Sequence, residues 1–489
     1  MKRIRSVVIF MAIFCFVLQN NLHSQNYISQ SKAKKAIAKL VKDSLLKSAS
    51  VSFSIMDLRT GKLISSFDKH RALVPASSQK IISCALILNQ LSNEYKFSTP
   101  FYLKGENQSE GTFNGNIEII GKGDPSFASD YFTEIPKVQD IADTLSSILK
   151  QKGISRIKGN IVVNENFITD IPENKEWLWY DLGNYYGAGC FGFNYAENQA
   201  GISLKASKKD SGVCTILSVQ PSQLKSNYLC KVIGKMQPDK KDVYVLGNSQ
   251  SCIQEILGEW KCCTEDTLVI KSALAKPSAI FVQLLKDALK KNGISIEENN
   301  IDLMSREELI YSYLSPTLKD MVQRALTKSV NLYCESFVHQ YGYIVNGTTN
   351  RQQALLKMNQ QLSELLSRRE AVVIEDGSGL SPKNMISSFA FIEFLEWIYK
   401  NKSLQNFWQL LPNAGKQGSL LKYLKLKENS PVSLRLKSGS MERVRSYTGY
   451  LVYKEKPVYA MSLLVNHYTC SGEMMNELIA KFLNRLTSQ

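Results

Sequence analysis

A serine three residues before a lysine can supply a nucleophile and its base, provided the lysine is buried enough to shed its proton. Ser77-Ser78-Gln79-Lys80 offers that pair. The spacing alone is common, recurring at Ser66/Lys69, Ser147/Lys150 and Ser222/Lys225, so context decides. Ser77 follows Pro75 at the start of a helical segment, where the helix dipole favours developing negative charge. Lys80 falls one turn later on the same face. The residues behind it, Ile81 to Leu91, are largely apolar, which directs Lys80 into an interior rather than solvent. The competing reading makes Ser77 a plain N-cap and Lys80 a surface lysine.

Two further groups suit the same chemistry. Ser329-Val330-Asn331 places a hydroxyl and an amide two residues apart. Ser329 could relay a proton and Asn331 could hold a substrate amide, unless both are polar residues on a helix surface. Lys437-Ser438-Gly439 ends a predicted strand. A cation beside a hydroxyl suits a terminal carboxylate, and glycine allows a ligand close to the backbone; the bland alternative is an ordinary turn.

The elements that must position these residues read as follows. A basic amphipathic helix covers Gln25 to Lys47, and strands cover Val51 to Asp57 and Lys62 to Phe67. Ile81 to Leu91 reads as a buried helix. From about Phe97 to Asn300 the texture changes to short strands and Gly-Asn or Gly-Asp turns, with one helix at Val138 to Lys152. Helical periodicity returns over Leu318 to Tyr343 and Thr348 to Leu366. Strands at Ser433 to Lys437, Arg445 to Tyr453 and Val458 to Val465 precede a final helix, Gly472 to Leu486. Both chain ends thus alternate strand and helix around a β-rich insertion.

Bulk properties bound the setting. Lys2, Arg3 and Arg5 precede an apolar run, Ser6 to Leu18, too short to span a bilayer comfortably, which reads as an export signal over residues 1–24. The 489 residues carry 60 Lys and Arg against 44 Asp and Glu, a formal net charge of +16. These cations are scattered rather than clustered with aromatics, which argues against nucleic acid and suits a loose attraction to anionic envelope polymers. With 4 histidines and no Cys-x-x-Cys pair, a metal site is not expected. Nine cysteines follow the leader, an odd number; buried thiols with one or two bridges are expected.

Taken in order, the Ser-x-x-Lys helix after a strand hairpin, the Ser-x-Asn among helices and the Lys-Ser-Gly strand near the end resemble penicillin-binding proteins and serine β-lactamases. Longer stretches narrow the resemblance. Pro75 to Lys80 is similar to the nucleophile motif of the class C low-molecular-mass penicillin-binding proteins, which are D-alanyl-D-alanine carboxypeptidases and endopeptidases. Gly121-Lys122-Gly123-Asp124-Pro125, Trp177-Leu178-Trp179-Tyr180-Asp181 and Asp376-Gly377-Ser378-Gly379-Leu380-Ser381 resemble that family's G-x-G-D-P turn, Trp-rich segment and D-G-S-G-L-S loop.

The resemblance implies an α/β (α+β) transpeptidase-like catalytic domain over residues 25–96 and 307–489, interrupted by a β-rich region of two small domains, at 97–121 with 202–306 and at 122–201. It implies an exported, periplasmic or extracellular serine peptidase without cofactor, acting on peptidoglycan stem peptides and inhibited by β-lactams. Ser77 would be the nucleophile, Lys80 its base, Ser329 and Asn331 the second motif, and Lys437, Ser438 and Gly439 the third. The backbone N–H groups of Ser77 and Ser440 would hold the oxyanion. Asp181 would bind the ammonium of the diamino acid, flanked by Tyr186 and Met441. Two departures stand out: Ser438 replaces the usual threonine, and Pro382-Lys383 follow the D-G-S-G-L-S loop where many relatives place an arginine. A serine β-lactamase or esterase on the same scaffold is the main rival; a non-catalytic wall-binding module would be expected to have lost part of the triad.

Overall fold

The computed structural model describes residues 28–108, 111–238, 242–300, 306–368, 372–426 and 432–488. The expected leader, residues 1–24, lies outside the described residues. Among the described residues, no helix is long and apolar enough to cross a membrane.

A five-stranded antiparallel sheet joins the two ends of the chain, in the order Val432–Met441, Val444–Tyr453, Lys456–Asn466, Ser50–Asp57, Lys62–Phe67. Its period-two alternation sends Phe53, Ile55, Leu451, Met461, Leu463 and Val465 into one apolar layer with the helices Gln30–Val41 and Gly472–Thr487. The opposite face carries small hydroxyls: Ser52, Ser54, Ser446, Thr448 and Ser462 are all buried. They satisfy one another and the helix above, with Ser52 and Ser54 both within 2.9 Å of Ser388 Oγ and Thr448 2.8 Å from Ser462. Short side chains there let the helix Ser388–Lys400 and the nucleophile turn lie close to the strands.

The nucleophile helix, Lys80–Gln90, is buried from Lys80 to Leu88 and packs against Leu318–Lys328 and Asn331–Asn346. The sequence predicts helical structure over 318–343. The structure breaks it at Ser329, which sits in the left-handed region (φ 58°, ψ 36°), followed by extended Val330. That conformation is costly for a residue other than glycine, and on either side of the break Ser329 meets Lys437 and Asn331 meets Lys80. The last two strands form a hairpin. It turns on Lys454-Glu455 alone, both at positive φ (45° and 57°), the pattern of a two-residue type I′ turn.

The insertion is β-rich. A six-stranded sheet gathers Ser98–Asn107, Thr112–Ile120, Arg156–Lys158, Ile161–Asn164, Ser295–Glu297 and Glu307–Leu314. Two smaller sheets use strands between Gln199 and Ala273. Glu307–Leu314 pairs with Ser98–Asn107, and the strands Arg156–Lys158 and Ile161–Asn164 share a sheet with Thr112–Ile120. Local periodicity carries no record of such non-local pairing.

All nine cysteines of the described residues are free. Cys84 and Cys334 face each other in the core with sulfurs 3.9 Å apart, well beyond a disulfide bond.

Candidate active site

Ser77 lies in a short 3₁₀ turn, Ala76–Gln79, that runs directly into the α-helix starting at Lys80. In a 3₁₀ turn residues i and i+3 eclipse, so the turn stacks Lys80 beneath Ser77. Ala76 before it has φ 45°, a strained value for a Cβ-bearing residue. The strain is held in place by packing: Ala76 is buried, and Gly379 approaches so closely that a Cβ there would stand 2.1 Å from the Ala76 carbonyl oxygen. Ser77 itself is half-buried and reaches the surface.

Lys80 Nζ donates to Ser77 Oγ at 2.9 Å, to Asn331 Oδ1 at 2.6 Å and to the Ser378 carbonyl at 2.7 Å. Its side chain is fully buried. Burial lowers its pKa, and the charges of Cys334, Asp376 and Glu335 oppose that shift. Asn331 spans the site, since its Nδ2 donates to the Tyr186 carbonyl at 2.7 Å. Lys437, 2 % exposed, donates from Nζ to Ser329 Oγ at 3.0 Å and to the Ser438 carbonyl at 2.8 Å. Burial first, then the neighbouring Lys80 charge, lowers its pKa to about 7.

The strand carrying Lys437 to Met441 lies directly against the nucleophile turn. Ser78 Oγ contacts Ser446 Oγ at 2.7 Å and the Lys437 carbonyl at 3.1 Å, and Ser446 Oγ donates to the Pro75 carbonyl. At Gly439 a Cβ would meet the Pro75 carbonyl oxygen at 2.3 Å and the Ser77 nitrogen at 3.0 Å. Only glycine permits this approach. Ser440 is exposed at the strand edge, and Met441 ends the strand with its carbonyl accepting from Arg445 Nη1 at 3.0 Å.

The Trp-rich segment of the insertion reaches the same region. Tyr186 OH donates to Asp181 Oδ1 at 3.2 Å. Burial raises the Asp181 carboxyl, partly offset by that hydrogen bond, and burial together with Asp181 raises the Tyr186 phenol. Trp177 Nε1 donates to Asp376 Oδ2 at 2.9 Å, and Lys383 forms an ion pair with Glu176.

The structure therefore gathers Ser77, Lys80 and Asn331 into one hydrogen-bonded group and Lys437 with Ser329 into a second, and Ser78 Oγ ties the nucleophile turn to the Lys437 carbonyl. Ser438 and Gly439 lie on the strand alongside, and Tyr186 joins through its carbonyl. Asp181 connects through Tyr186. Sequence reading did not assign Gln79, Glu335, Ser446 or the Ser378 carbonyl, all of which touch or enclose this cluster. Gln79 and Ser378 lie inside matched motifs that gave them no role, and Glu335 and Ser446 carried no signal. Among the described residues, no group of three or more His, Cys, Asp or Glu side chains could hold a metal ion.

The family model described as D-Ala-D-Ala carboxypeptidase 3 (S13) matches residues 33–486. The chain is 24 % identical over 501 residues to penicillin-sensitive carboxypeptidase A of Dictyostelium discoideum, covering 92 % of this chain and 90 % of that protein. It is 21 % identical over 430 residues to D-alanyl-D-alanine carboxypeptidase DacB of Haemophilus influenzae, covering 86 % of each. The crystal structure of penicillin binding protein 4 from Haemophilus influenzae superposes with a TM-score of 0.76 at 19 % identity, covering 92 % of this chain and 98 % of that one.

Proposed function

Because the chain belongs to the D-Ala-D-Ala carboxypeptidase 3 (S13) family of serine peptidases, we propose that it hydrolyses peptides ending in D-Ala-D-Ala through an acyl-enzyme on Ser77. The observation that carries this reading is the pair of buried lysines, each donating to a hydroxyl: Lys80 to Ser77 at 2.9 Å and Lys437 to Ser329 at 3.0 Å.

Ser77 Oγ attacks the penultimate carbonyl carbon while neutral Lys80 takes the hydroxyl proton. Burial favours that neutral form. The oxyanion settles between the N–H groups of Ser77 and Ser440, a preorganised pair whose single-donor loss costs about 3–4 kcal/mol. The peptide C–N bond then breaks, and Ser329 relays a proton to the departing D-alanine nitrogen, with Lys437 biasing the transfer. Lys437 and Ser438 hold the terminal carboxylate. Water attacks the ester, releasing the shortened peptide and restoring Ser77. Asn331, held between Lys80 and the Tyr186 carbonyl, orients the acyl-side amide.

Asp181 binds the free ammonium at the end of the stem peptide's diamino acid, with Tyr186 and Met441 beside it. The same steps cut cross-linked peptides, giving endopeptidase activity on peptidoglycan. β-Lactams acylate Ser77 and leave slowly; the name of the penicillin-sensitive relative supports this. The protein acts outside the cytoplasm after export directed by residues 1–24, and its positive charge holds it loosely at anionic envelope polymers. No cofactor takes part.

Purified protein incubated with intact sacculi tests the reading. Mass analysis should find stem peptides shortened by one alanine and cross-links opened. Sacculi left unchanged by an enzyme that still hydrolyses penicillin rapidly would replace the peptidase with a β-lactamase.

A further inference from the structure

The proposed chemistry makes no direct use of Asp376, yet this carboxylate is fully buried. Five donors compensate it. Oδ1 accepts from Gly379 N at 2.7 Å, Asn384 Nδ2 at 3.0 Å and Gln79 Nε2 at 3.1 Å; Oδ2 accepts from Ser381 N at 2.6 Å and Trp177 Nε1 at 2.9 Å. Gln79 Nε2 also donates to the Asp376 backbone carbonyl. Five donors around two oxygens are the surroundings of an ionised carboxylate.

The partners matter more than their number. Gln79 immediately precedes Lys80. Ser378, whose carbonyl accepts from Lys80 Nζ, lies between Asp376 and the Gly379 N–H that Asp376 holds. Trp177 opens the segment that leads to Asp181 and Tyr186, and Tyr186 in turn accepts from Asn331, the other side-chain acceptor beside Ser77 on Lys80. We infer that Asp376 is a positioning residue: its carboxylate fixes the Ser378 carbonyl and Gln79 around Lys80 and, through Trp177, ties the substrate-facing segment of the insertion to the same point.

The surroundings of Lys80 allow a test that separates this role from simple folding. The titratable groups facing it are Cys84 on its own helix, Cys334 and Glu335 on the helix Asn331–Asn346, Asp376 on the loop and Lys437 on the adjacent strand. Burial, then the Asp376 charge, raises the Glu335 carboxyl to about 7, against the pull of Arg351. Burial thus favours the neutral form of Glu335, while Asp376 stands behind Lys80 with its five donors. Its charge favours the ammonium form. Removing that charge leaves desolvation less opposed, so Lys80 becomes neutral at lower pH.

The inference rests on Lys80 as the base, and the experiment keeps the two claims apart. Acylation by fluorescent penicillin and release of D-alanine from a stem pentapeptide are measured across pH for the full chain and for Lys80→Ala, Asp376→Asn and Trp177→Phe, with thermal unfolding of each. Asp376→Asn should acylate at least about tenfold more slowly, the scale of one lost hydrogen bond to a charged group, with the acid limb displaced to lower pH. Trp177→Phe, which removes one donor and no charge, should keep the acid limb in place and lose more on the peptide than on penicillin. An acid limb that stays put in folded Asp376→Asn overturns the inference. Should that variant not fold, equal losses on peptide and penicillin in Trp177→Phe overturn it instead. Acylation that persists in Lys80→Ala removes the underlying reading, whereas its loss there beside wild-type behaviour in Asp376→Asn removes this inference alone.

Discussion

Lys80 and Ser77 share a 2.9 Å hydrogen bond in which the lysine has no carboxylate partner among the described residues. Its two other acceptors, the Asn331 amide oxygen and the Ser378 carbonyl, are also uncharged. A buried ammonium held only by neutral dipoles loses much of its solvation without regaining an ion pair. The arrangement suits an amine that must be neutral when it takes the Ser77 proton.

Replacing that amine should be costly in rate and mild in stability. Lys80→Ala should slow acylation by roughly 10²–10⁴-fold, the usual contribution of a general base. Lys80→Arg should fare no better, because a guanidinium keeps its proton. Stopped-flow acylation by a chromogenic penicillin reads the rate, and thermal unfolding confirms the fold. A variant acylating within a few-fold of the natural protein would assign the base elsewhere.

Lys437 should set the alkaline side of the pH profile. Its pKa is lowered to about 7, so in the free enzyme its charge is present below that value and lost as pH rises through it. Recognition of a terminal carboxylate needs the charged form. Values of kcat/KM for a D-Ala-D-Ala peptide should therefore fall above about pH 7. Lys437→Arg, which keeps its charge, should move the alkaline limb upward even if the maximum drops. A limb unmoved by this substitution would assign it to another group.

Gly439 should tolerate nothing larger. An added Cβ would meet the Pro75 carbonyl oxygen at 2.3 Å and Ser446 Oγ at 2.2 Å, and the first of these is backbone of the nucleophile turn. Gly439→Ala should cost about 1–3 kcal/mol from overpacking and lower acylation more than stability alone explains, because the displaced turn carries Ser77. Chemical denaturation alongside penicillin labelling separates the two effects; full labelling at normal speed would mean that the strand yields without moving Ser77.

Asp181 should distinguish substrate from inhibitor. Asp181→Ala should weaken turnover of peptides bearing a free diamino-acid amine while changing acylation by penicillin little, since penicillin lacks that amine. Steady-state kinetics on amidated and free-amine peptides checks this. Equal losses on both ligands would make Asp181 a structural partner of Tyr186.

The parts of the site visible in sequence are those encoded locally. Ser77 and Lys80 lie three residues apart on an apolar segment, and Lys437 to Gly439 end a strand, so type and spacing were enough to nominate them. Ser329 was nominated by its motif, but the helix break that orients it was not visible. A left-handed serine has no local signature, and it persists because the surrounding helices impose it. The pairing of Glu307–Leu314 with Ser98–Asn107, about two hundred residues earlier, was not visible. The donors to Asp376 come from positions 79, 177 and 379 to 384, a convergence that exists only once the chain has folded.

The most direct measurement is the site and lifetime of the penicillin adduct. The protein is incubated with penicillin, digested and analysed by mass to locate the modified residue, and release of the adduct is followed over time. The adduct should sit on Ser77, be absent in Ser77→Ala and persist for minutes or longer. An adduct on another residue, or labelling that survives Ser77→Ala, would contradict the assignment of Ser77 as the nucleophile.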